Sequence, residues 1–383
     1  MREKVKWLEN RKDFHPRAVL LSQRKLVMTN FPPEYIQRLD PGEAARLRAA
    51  LHGDREEFGA LTEPYRHELQ VHCYRILGSW HEAEDLVQET YLRAWRRLNT
   101  YEGRASLRSW LYKIATNACL DELDKWRTRR YLPSSFQSAS DPSSPIISPT
   151  TEPIWLEPAH DDWLLSAITG PETRYLARES ISLAFLAALQ TLPSRQRSIF
   201  ILMDVLDWSA SEVADLLDTT VSAAHSALHR ARVKMVEQYH GREIDNMVQA
   251  DERTRRMLDK YVKAWETADI AGLVALLKEN ATLLMPPSPS WYQGRTAVGA
   301  FVAVSVFGEA GMFPGKAAGR WKLLPTQANG QPAFAFYQRT NENEYQAAGV
   351  QVVTIEDGQI GEVISFNDPS LPARFGLPSI IYG

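Results

Sequence analysis

Residues 211–235 read SEVADLLDTTVSAAHSALHRARVKM. The stretch poses a choice between an ordinary amphipathic hairpin and two helices built to enter a DNA groove. Its first half places Val213, Leu216 and Leu217 at helical spacing, with Ala214 small enough to let a second helix cross closely and Ser211 as the N-cap. Asp218-Thr219-Thr220 interrupts the pattern, and Asp tolerates the tight geometry that ends a helix. A second helix begins near Val221, capped by Thr220. Its apolar side is Val221, Ala224 and Leu228, and its other face offers Ser222, Ala223, Ser226 and His229. Arg230, Arg232 and Lys234 follow, with no acidic residue between Ser222 and Met235. Short side chains approach base edges and cations grip phosphates, as a major-groove recognition helix requires. In the plainer alternative the basic end only complements the helix dipole.

The whole chain has 383 residues, enough for two or three domains, and 44% apolar content to build their cores. Its net charge of −3 carries no global nucleic-acid signal, but the charge is segregated. Tyr91 to Arg130 holds ten Lys/Arg against Glu102, Asp121, Glu122 and Asp124, a net +6. Residues 133–173 hold no Lys or Arg and a net −6. Adjacent basic and acidic blocks suit a partner with two faces to be read. Cys73 and Cys119 are the only cysteines and belong to no metal-type cluster, which points to a reducing compartment without a structural disulfide. No run reaches the roughly 18 apolar residues of a membrane helix. Residues 1–42 read as a basic, disordered leader: Ala18-Val19-Leu20-Leu21 is too short for a signal-peptide core, and Met28 is a candidate start.

Four blocks follow. Residues 43–132 are helical in pattern, broken at Gly78 and at Thr100–Ser106. Residues 133–173 carry seven prolines and many serines and read as an extended linker, with Trp155-Leu156-Glu157-Pro158 and Trp163 as its ordered-looking elements. Residues 174–240 are helical again. After a polar stretch at 241–251, the block 250–383 reads as α+β. One helix spans about Arg253–Leu277, and strands fall at Ala281–Met285, Ala333–Arg339, Gln346–Ile355 and Gln359–Ser365. Asp357-Gly358 marks a hairpin between the last two.

The first helical block contains EAEDLVQETYLRAWRRL (82–98) and YEGRASLRSWLYKIATNACLDELDKWRTRR (101–130). These runs closely resemble the second conserved region of extracytoplasmic-function (ECF) sigma factors of bacterial RNA polymerase. FLAALQTLPSRQRSIFILMDVLDWSA (185–210), with the opening stretch, resembles their fourth region. The resemblance covers about 43–132 and 177–238 and implies two all-α units, a region 2 helical bundle and a region 4 helix-turn-helix. Within 82–98, Ala83, Leu86, Val87, Thr90, Tyr91 and Ala94 form a buried stripe, and Glu82, Asp85, Gln88 and Glu89 an acid/amide face. Alone that face reads as solvated; the resemblance implies that it docks on the clamp helices of the polymerase's largest subunit. In the second run Arg104, Arg108, Lys113, Arg127, Arg129 and Arg130 interleave with Tyr101, Trp110, Tyr112 and Trp126, a pattern that tracks a phosphate backbone and stacks unpaired bases. Trp110, three residues before Lys113, reads as more core than stacking platform. The resemblance implies that this block opens the −10 promoter element around a loop at Asn99–Ser106, with Asn117 and Asp121 as edge readers. It assigns the −35 element to Thr220, Ser222, Ala223, Ser226, His229, Arg230, Arg232 and Lys234. The turn departs from the usual pattern, with Asp218 where Gly is frequent and Thr219 where an apolar residue is common. The acidic linker is either a plain tether or, as the resemblance implies, a segment threading the polymerase cleft; Trp155 and Trp163 favour contact.

Beyond Tyr239 the chain is extra for this class. RRMLDKYVKAWETADIAGLVALLKENATLLMPPSPSWYQGRTAVGAF (255–301) resembles SnoaL-like domains of the NTF2-like fold, a cone-shaped α+β unit over an apolar pocket, and FNDPSLPARFGLP (366–378) resembles the tail of sigma factors carrying one. Enzymes of that fold place Asp, His or Tyr inside the pocket. All nine histidines lie at or before His240, and Asp251, Asp259, Asp269, Asp357 and Asp368 all avoid mid-strand positions. Trp265, Trp291, Tyr292, Phe301, Phe334, Phe336 and Tyr337 supply an aromatic interior. We therefore expect a cytoplasmic alternative sigma factor, not an enzyme, with no catalytic residues, metal or cofactor, modulated by its added domain. Expected partners are core RNA polymerase and promoter DNA, with an anti-sigma protein or small ligand as further candidates and no membrane. The alternative is an NTF2-like enzyme or small-molecule sensor tethered to promoter-binding modules.

Overall fold

Helices start where the sequence supplies caps. The computed structural model describes residues 39–126, 129–149, 154–165, 180–239, 252–308, 311–313 and 315–383. In the first helical unit, Asp40 caps α1 (Pro41–Leu51), Asp54 caps α2 (Arg55–Thr62), and Ser79 caps α4 (Trp80–Arg97). Between them α3 (Arg66–Leu77) ends on Gly78 at φ 72°, the left-handed stop that glycine takes without strain. α5 (Leu107–Trp126) completes this unit. The second unit comprises α6 (Leu183–Gln190), α7 (Ser194–Phe200) with a π turn at Ile201–Val205, α8 (Ala210–Leu216) and α9 (Val221–Gln238).

The described stretches of the linker are docked on the rest of the protein. The residues that lead into it form β1 (Arg130–Tyr131), which pairs in parallel with its β2 (Ile154–Trp155), and short helices occupy Pro133–Phe136 and Asp161–Leu165. Trp163 packs edge-on against His67, Tyr74 and Trp80, and Trp155 against Phe136.

The C-terminal domain is a mixed sheet wrapped by helices. The helix expected over Arg253–Leu277 is two, α10 (Glu252–Thr267) and α11 (Ile270–Leu276). Ala268 turns left-handed at φ 56°, and Asp269 caps the second by accepting from the Gly272 amide at 2.9 Å. α12 spans Arg295–Phe301. Strands β3 (Leu277–Leu284), β4 (Trp291–Gln293), β5 (Trp321–Ala328), β6 (Gln331–Arg339), β7 (Glu344–Glu356) and β8 (Gln359–Phe366) order as β4-β3-β8-β7-β6-β5, with β9 (Ile380–Tyr382) paired to β7. β4, β5 and β9 were absent from the sequence reading. β5 carries Pro325, which masks the strand pattern and suits its place at the sheet edge. The Asp357-Gly358 hairpin is present, both residues at positive φ, and Asn329-Gly330 makes a second such turn between β5 and β6.

Both faces of this sheet are covered, so β6 is buried from Gln331 to Tyr337 with no polar alternation. Phe334, Phe336, Leu283 and Val353 face the domain's own core with α10 and α12. Ala333, Ala335, Tyr337, Val350, Val352 and Ile364 belong instead to one apolar cluster that continues through Leu156 and Ala159 of the linker into both helical units.

Candidate nucleic-acid interface

The helix-turn-helix is built from local chemistry. Ser209, not Ser211, caps α8: its hydroxyl accepts from the Glu212 amide at 3.3 Å while the Glu212 carboxylate accepts from the Ser209 amide at 2.9 Å. This reciprocal box needs an acid three residues on, which Ser209 has and Ser211 lacks. Hydrogen bonding to Ser209 holds the Glu212 carboxyl below its ordinary range. Asp218 sits at φ 50°, so it fills the left-handed turn position that Gly often takes. Thr220 caps α9, its hydroxyl accepting from the Ala223 amide at 3.1 Å.

The buried side of α9 is Ala224, Ala227, Leu228, Ala231 and Met235. Val221, expected on that side, is 45% exposed because it precedes the first residue that reaches the core. Ser222, Ala223, Ser226, His229 and Arg230 are exposed together. His225 lies on the same exposed face and was missed, although its spacing to Ser222 and His229 is helical. Two of the basic residues are partnered: Arg232 makes two bonds to Asp204 at 2.7 and 2.8 Å, and Lys234 pairs with Glu237 at 3.6 Å.

On α4, Ala83, Val87, Thr90 and Ala94 are buried, Leu86 and Tyr91 half-buried, and Asp85 and Gln88 exposed. Glu89 pairs with Arg93 at 2.8 Å, which also reaches Asp121 at 2.8 Å. Glu82 turns to Arg130 at 2.5 Å. Arg130 is only 7% exposed and also donates to the Trp155 carbonyl at 2.9 Å, so it clamps the linker instead of presenting a free cation to phosphates. Tyr101 is likewise inside, 2% exposed, donating to the Ala105 carbonyl and leaning on half-buried Trp110 at 5.0 Å; it shapes the loop rather than offering a stacking face. Arg104 and Arg129 are exposed and Asn117 half-buried. Trp126 ends α5, and Arg127 lies outside the described residues.

Two cations of α5 reach the second helical unit. Lys113 donates to the Asp218 carboxylate at 2.6 Å and to the Asp215 carbonyl at 3.0 Å. Arg108 pairs with Glu68 at 2.8 Å and lies over the rings of Tyr112 and Trp208. Behind them Arg197, 2% exposed, donates to the carbonyls of Ile76, Gln190 and Leu192 and to the Gln190 side chain. Burial lowers its pKa to about 9. Lys113 of α5 and Asp218 of the helix-turn-helix therefore touch, with Asp218 still largely exposed.

The third domain closes the seam. Asn329, fully buried at the tip of the β5–β6 hairpin, accepts from the Ala159 amide at 2.9 Å and donates to the Tyr74 hydroxyl at 2.8 Å and the Ile181 carbonyl at 2.7 Å. One side chain thus ties the first unit, the linker and the second unit to the C-terminal domain. Gly330 donates to Asp161 at 2.7 Å beside it.

Within the C-terminal domain a cavity of about 430 Å³ is lined, among the described residues, by no ionisable side chain. Its wall includes Trp265, Phe301 and Phe336, whereas Trp291 and Tyr337 pack toward the helical units and Tyr292 stacks on Phe301 at 4.2 Å. One mid-strand carboxylate was overlooked: Glu362 on β8, which accepts from Thr282 at 3.1 Å and does not line that cavity. No cluster of His, Cys, Asp or Glu among the described residues could hold a metal ion, and no described helix is long and apolar enough to cross a membrane.

A helix-turn-helix unit and a basic helical bundle joined to a cone-shaped α+β domain define a transcription initiation factor of the sigma class with an added module. Residues 61–130 match the family model of Sigma-70 region 2, residues 182–235 that of Sigma-70 region 4, and residues 258–363 that of the SnoaL-like domain. The chain is 40% identical over 326 residues to the ECF RNA polymerase sigma factor SigG of Mycobacterium tuberculosis, covering 85% of each chain. It is 26% identical over 195 residues to the ECF RNA polymerase sigma factor SigW of Bacillus subtilis, covering 50% of this chain and 94% of that one. The crystal structure of the Mycobacterium tuberculosis ECF sigma factor SigJ shares the fold, with a TM-score of 0.52 at 21% identity, covering 83% of this chain and 99% of that one. The protein belongs to the ECF sigma factors of RNA polymerase and carries a SnoaL-like C-terminal domain.

Proposed function

We propose that this sigma factor is held in a closed form by its own C-terminal domain and opens on core RNA polymerase to read promoters. The carrying observation is the Lys113–Asp218 contact at 2.6 Å. The −10 and −35 elements lie about 25 base pairs apart, on the order of 85 Å at 3.4 Å per pair. Helices that touch across a hydrogen bond cannot read both. The contact itself is half-exposed and worth little, roughly 0–1 kcal/mol. The closed form therefore rests on the apolar seam and on the buried bonds of Asn329 and Arg197.

In this reading Asp85, Gln88, Glu89 and, once Arg130 lets go, Glu82 meet the clamp helices of the largest subunit. Arg104, Arg108, Lys113, Asn117, Asp121, Trp126, Arg127 and Arg129 serve the −10 element. On α9, Ser222, Ala223, Ser226 and His229 face −35 bases, and Thr220, Arg230, Arg232 and Lys234 face phosphates. The function is non-catalytic and cytoplasmic, with an anti-sigma protein as a further candidate partner. Run-off transcription by core RNA polymerase with the full chain, against a chain ending at Tyr239, tests the lock: the shortened chain should initiate several-fold more. Equal or lower output from a folded shortened chain would refute it.

A further inference from the structure

The cavity of the C-terminal domain is not a closed core void, and its wall is not made by that domain alone. Linker residues Ile146 and Pro149 line it, alongside Trp265, Trp321 and Phe336. The linker reaches this place along a ladder of hydrogen bonds to the Pro286–Trp291 loop. Gln137 donates to the Pro289 carbonyl at 2.9 Å and accepts from the Trp291 indole at 2.9 Å, and the Ser140 amide donates to the Trp291 carbonyl at 2.8 Å. Ser288 donates to the Ile147 carbonyl at 2.7 Å, and the Ile147 amide donates to Ser290 at 3.0 Å. Ile146 is thereby packed against the apolar core of the domain.

The chemistry of the wall selects what fits. A volume of about 430 Å³ is within the roughly 300–1,000 Å³ of small-molecule sites. Among the described residues the wall carries no charged side chain, so an ion would give up its hydration without meeting a counter-charge. Five aromatic and two methionine side chains line the cavity, beside uncharged polar ones such as Gln338, Thr340 and Asn367. Gln351, 1% exposed, lines the wall with an amide donor, and its side-chain carbonyl accepts from the Tyr261 hydroxyl at 2.8 Å. The buried indole N–H groups of Trp265 and Trp321, both on the wall, make no hydrogen bond in the structure. Buried donors left unmade cost about 1–3 kcal/mol each, so a well-packed wall that keeps two of them points to an acceptor supplied from outside.

We propose that this cavity binds a neutral, mainly apolar small molecule bearing a hydrogen-bond acceptor, and that the ligand and the docked linker hold each other in place. A ligand that touches Ile146 and Pro149 binds more tightly when the linker is docked, and reciprocally keeps it docked. This deepens the lock reading, on which its consequence for transcription rests. The binding itself needs no polymerase, so the two can fail separately.

The test titrates the full chain with prodan, a neutral naphthalene ketone whose emission reports an apolar site, and with anilinonaphthalene sulfonate as its anionic counterpart. Prodan should bind saturably at one site per chain and at least tenfold more tightly than the sulfonate. Ala348→Phe, which fills the cavity from its wall, should abolish binding. Gln351→Leu, which removes the donor at nearly constant shape, should weaken it about tenfold, and Ile146→Ala, outside the domain's fold, about three- to tenfold. Absence of saturable prodan binding, preference for the sulfonate, or affinity unchanged by Gln351→Leu overturns the site. Affinity unchanged by Ile146→Ala overturns the linkage even if Ala348→Phe proves misfolded.

Discussion

Asn329 joins three remote segments to the C-terminal domain through one buried side chain. Its left-handed φ of 54° is one that Gly adopts freely and Ala only with strain. Asn329→Gly therefore keeps the turn and deletes three buried bonds, and should weaken domain docking by about 2–4 kcal/mol. Asn329→Ala should cost roughly 1 kcal/mol more. Thermal unfolding of both variants checks the order, and Ala proving the milder change would contradict it. His72 gives a pH prediction. Burial first, then the charges of Arg75 and Arg108, lowers its pKa from 6.5 to about 3, with Nε2 against the Thr116 hydroxyl at 2.8 Å. The unfolded chain takes up the proton near pH 6.5 and the folded chain does not. The stability is thus complete above that pH and is lost as pH falls from 6.5 toward 3. Between pH 7.5 and 5.5 the native chain should lose about 1.4 kcal/mol more than His72→Gln in urea unfolding. Equal losses would refute the assignment. At this scale the sequence is only partly legible. Asn329-Gly330 is a hairpin signal on its face, but its burial is not, because Tyr74, Ala159 and Ile181 come from three remote segments.

Elements were more readable than residues. The acid/amide face of α4 and the small-residue face of α9 follow from helical periodicity, and the structure leaves Asp85, Gln88, Ser226 and Arg230 exposed. Charge reversal at Asp85 and Glu89 should abolish co-purification with core polymerase while the chain stays folded, since an exposed position such as Asp85 shifts stability by no more than about 0.5 kcal/mol and the Glu89–Arg93 pair is worth roughly 0–1 kcal/mol. Normal co-purification would remove this face from the account. Arg230→Ala should weaken binding to all −35 sequences alike and flatten its salt dependence, whereas changes at Ser226 should alter which sequences are used. The reverse pattern would mean that α9 presents a different face. Arg130 and Tyr101 show where periodicity stops being informative. A cation and a ring beside other cations and rings read as DNA contacts, and only the packed linker reveals that Arg130 is spent on Glu82 and the Trp155 carbonyl. β5 escaped because Pro325 breaks the strand pattern that an edge position tolerates.

At the scale of the molecule, the continuous burial along β6 distinguishes this sheet from one with a wet face. A face that meets the linker and both helical units keeps them together, so the sheet is at once a fold and a clasp. The order of the parts could be read from two motifs flanking an acidic spacer; their mutual contact could not, because no local pattern encodes which surface a domain covers. The most direct measurement is the distance between spin labels on cysteines introduced at Arg104 and Ser226, both exposed. The native Cys73 and Cys119 are buried. The closed form predicts one short, narrow distribution in the free chain, lengthening by tens of ångströms when core RNA polymerase is added, toward the roughly 85 Å that the promoter elements span. A distribution that core polymerase leaves unchanged would contradict the account.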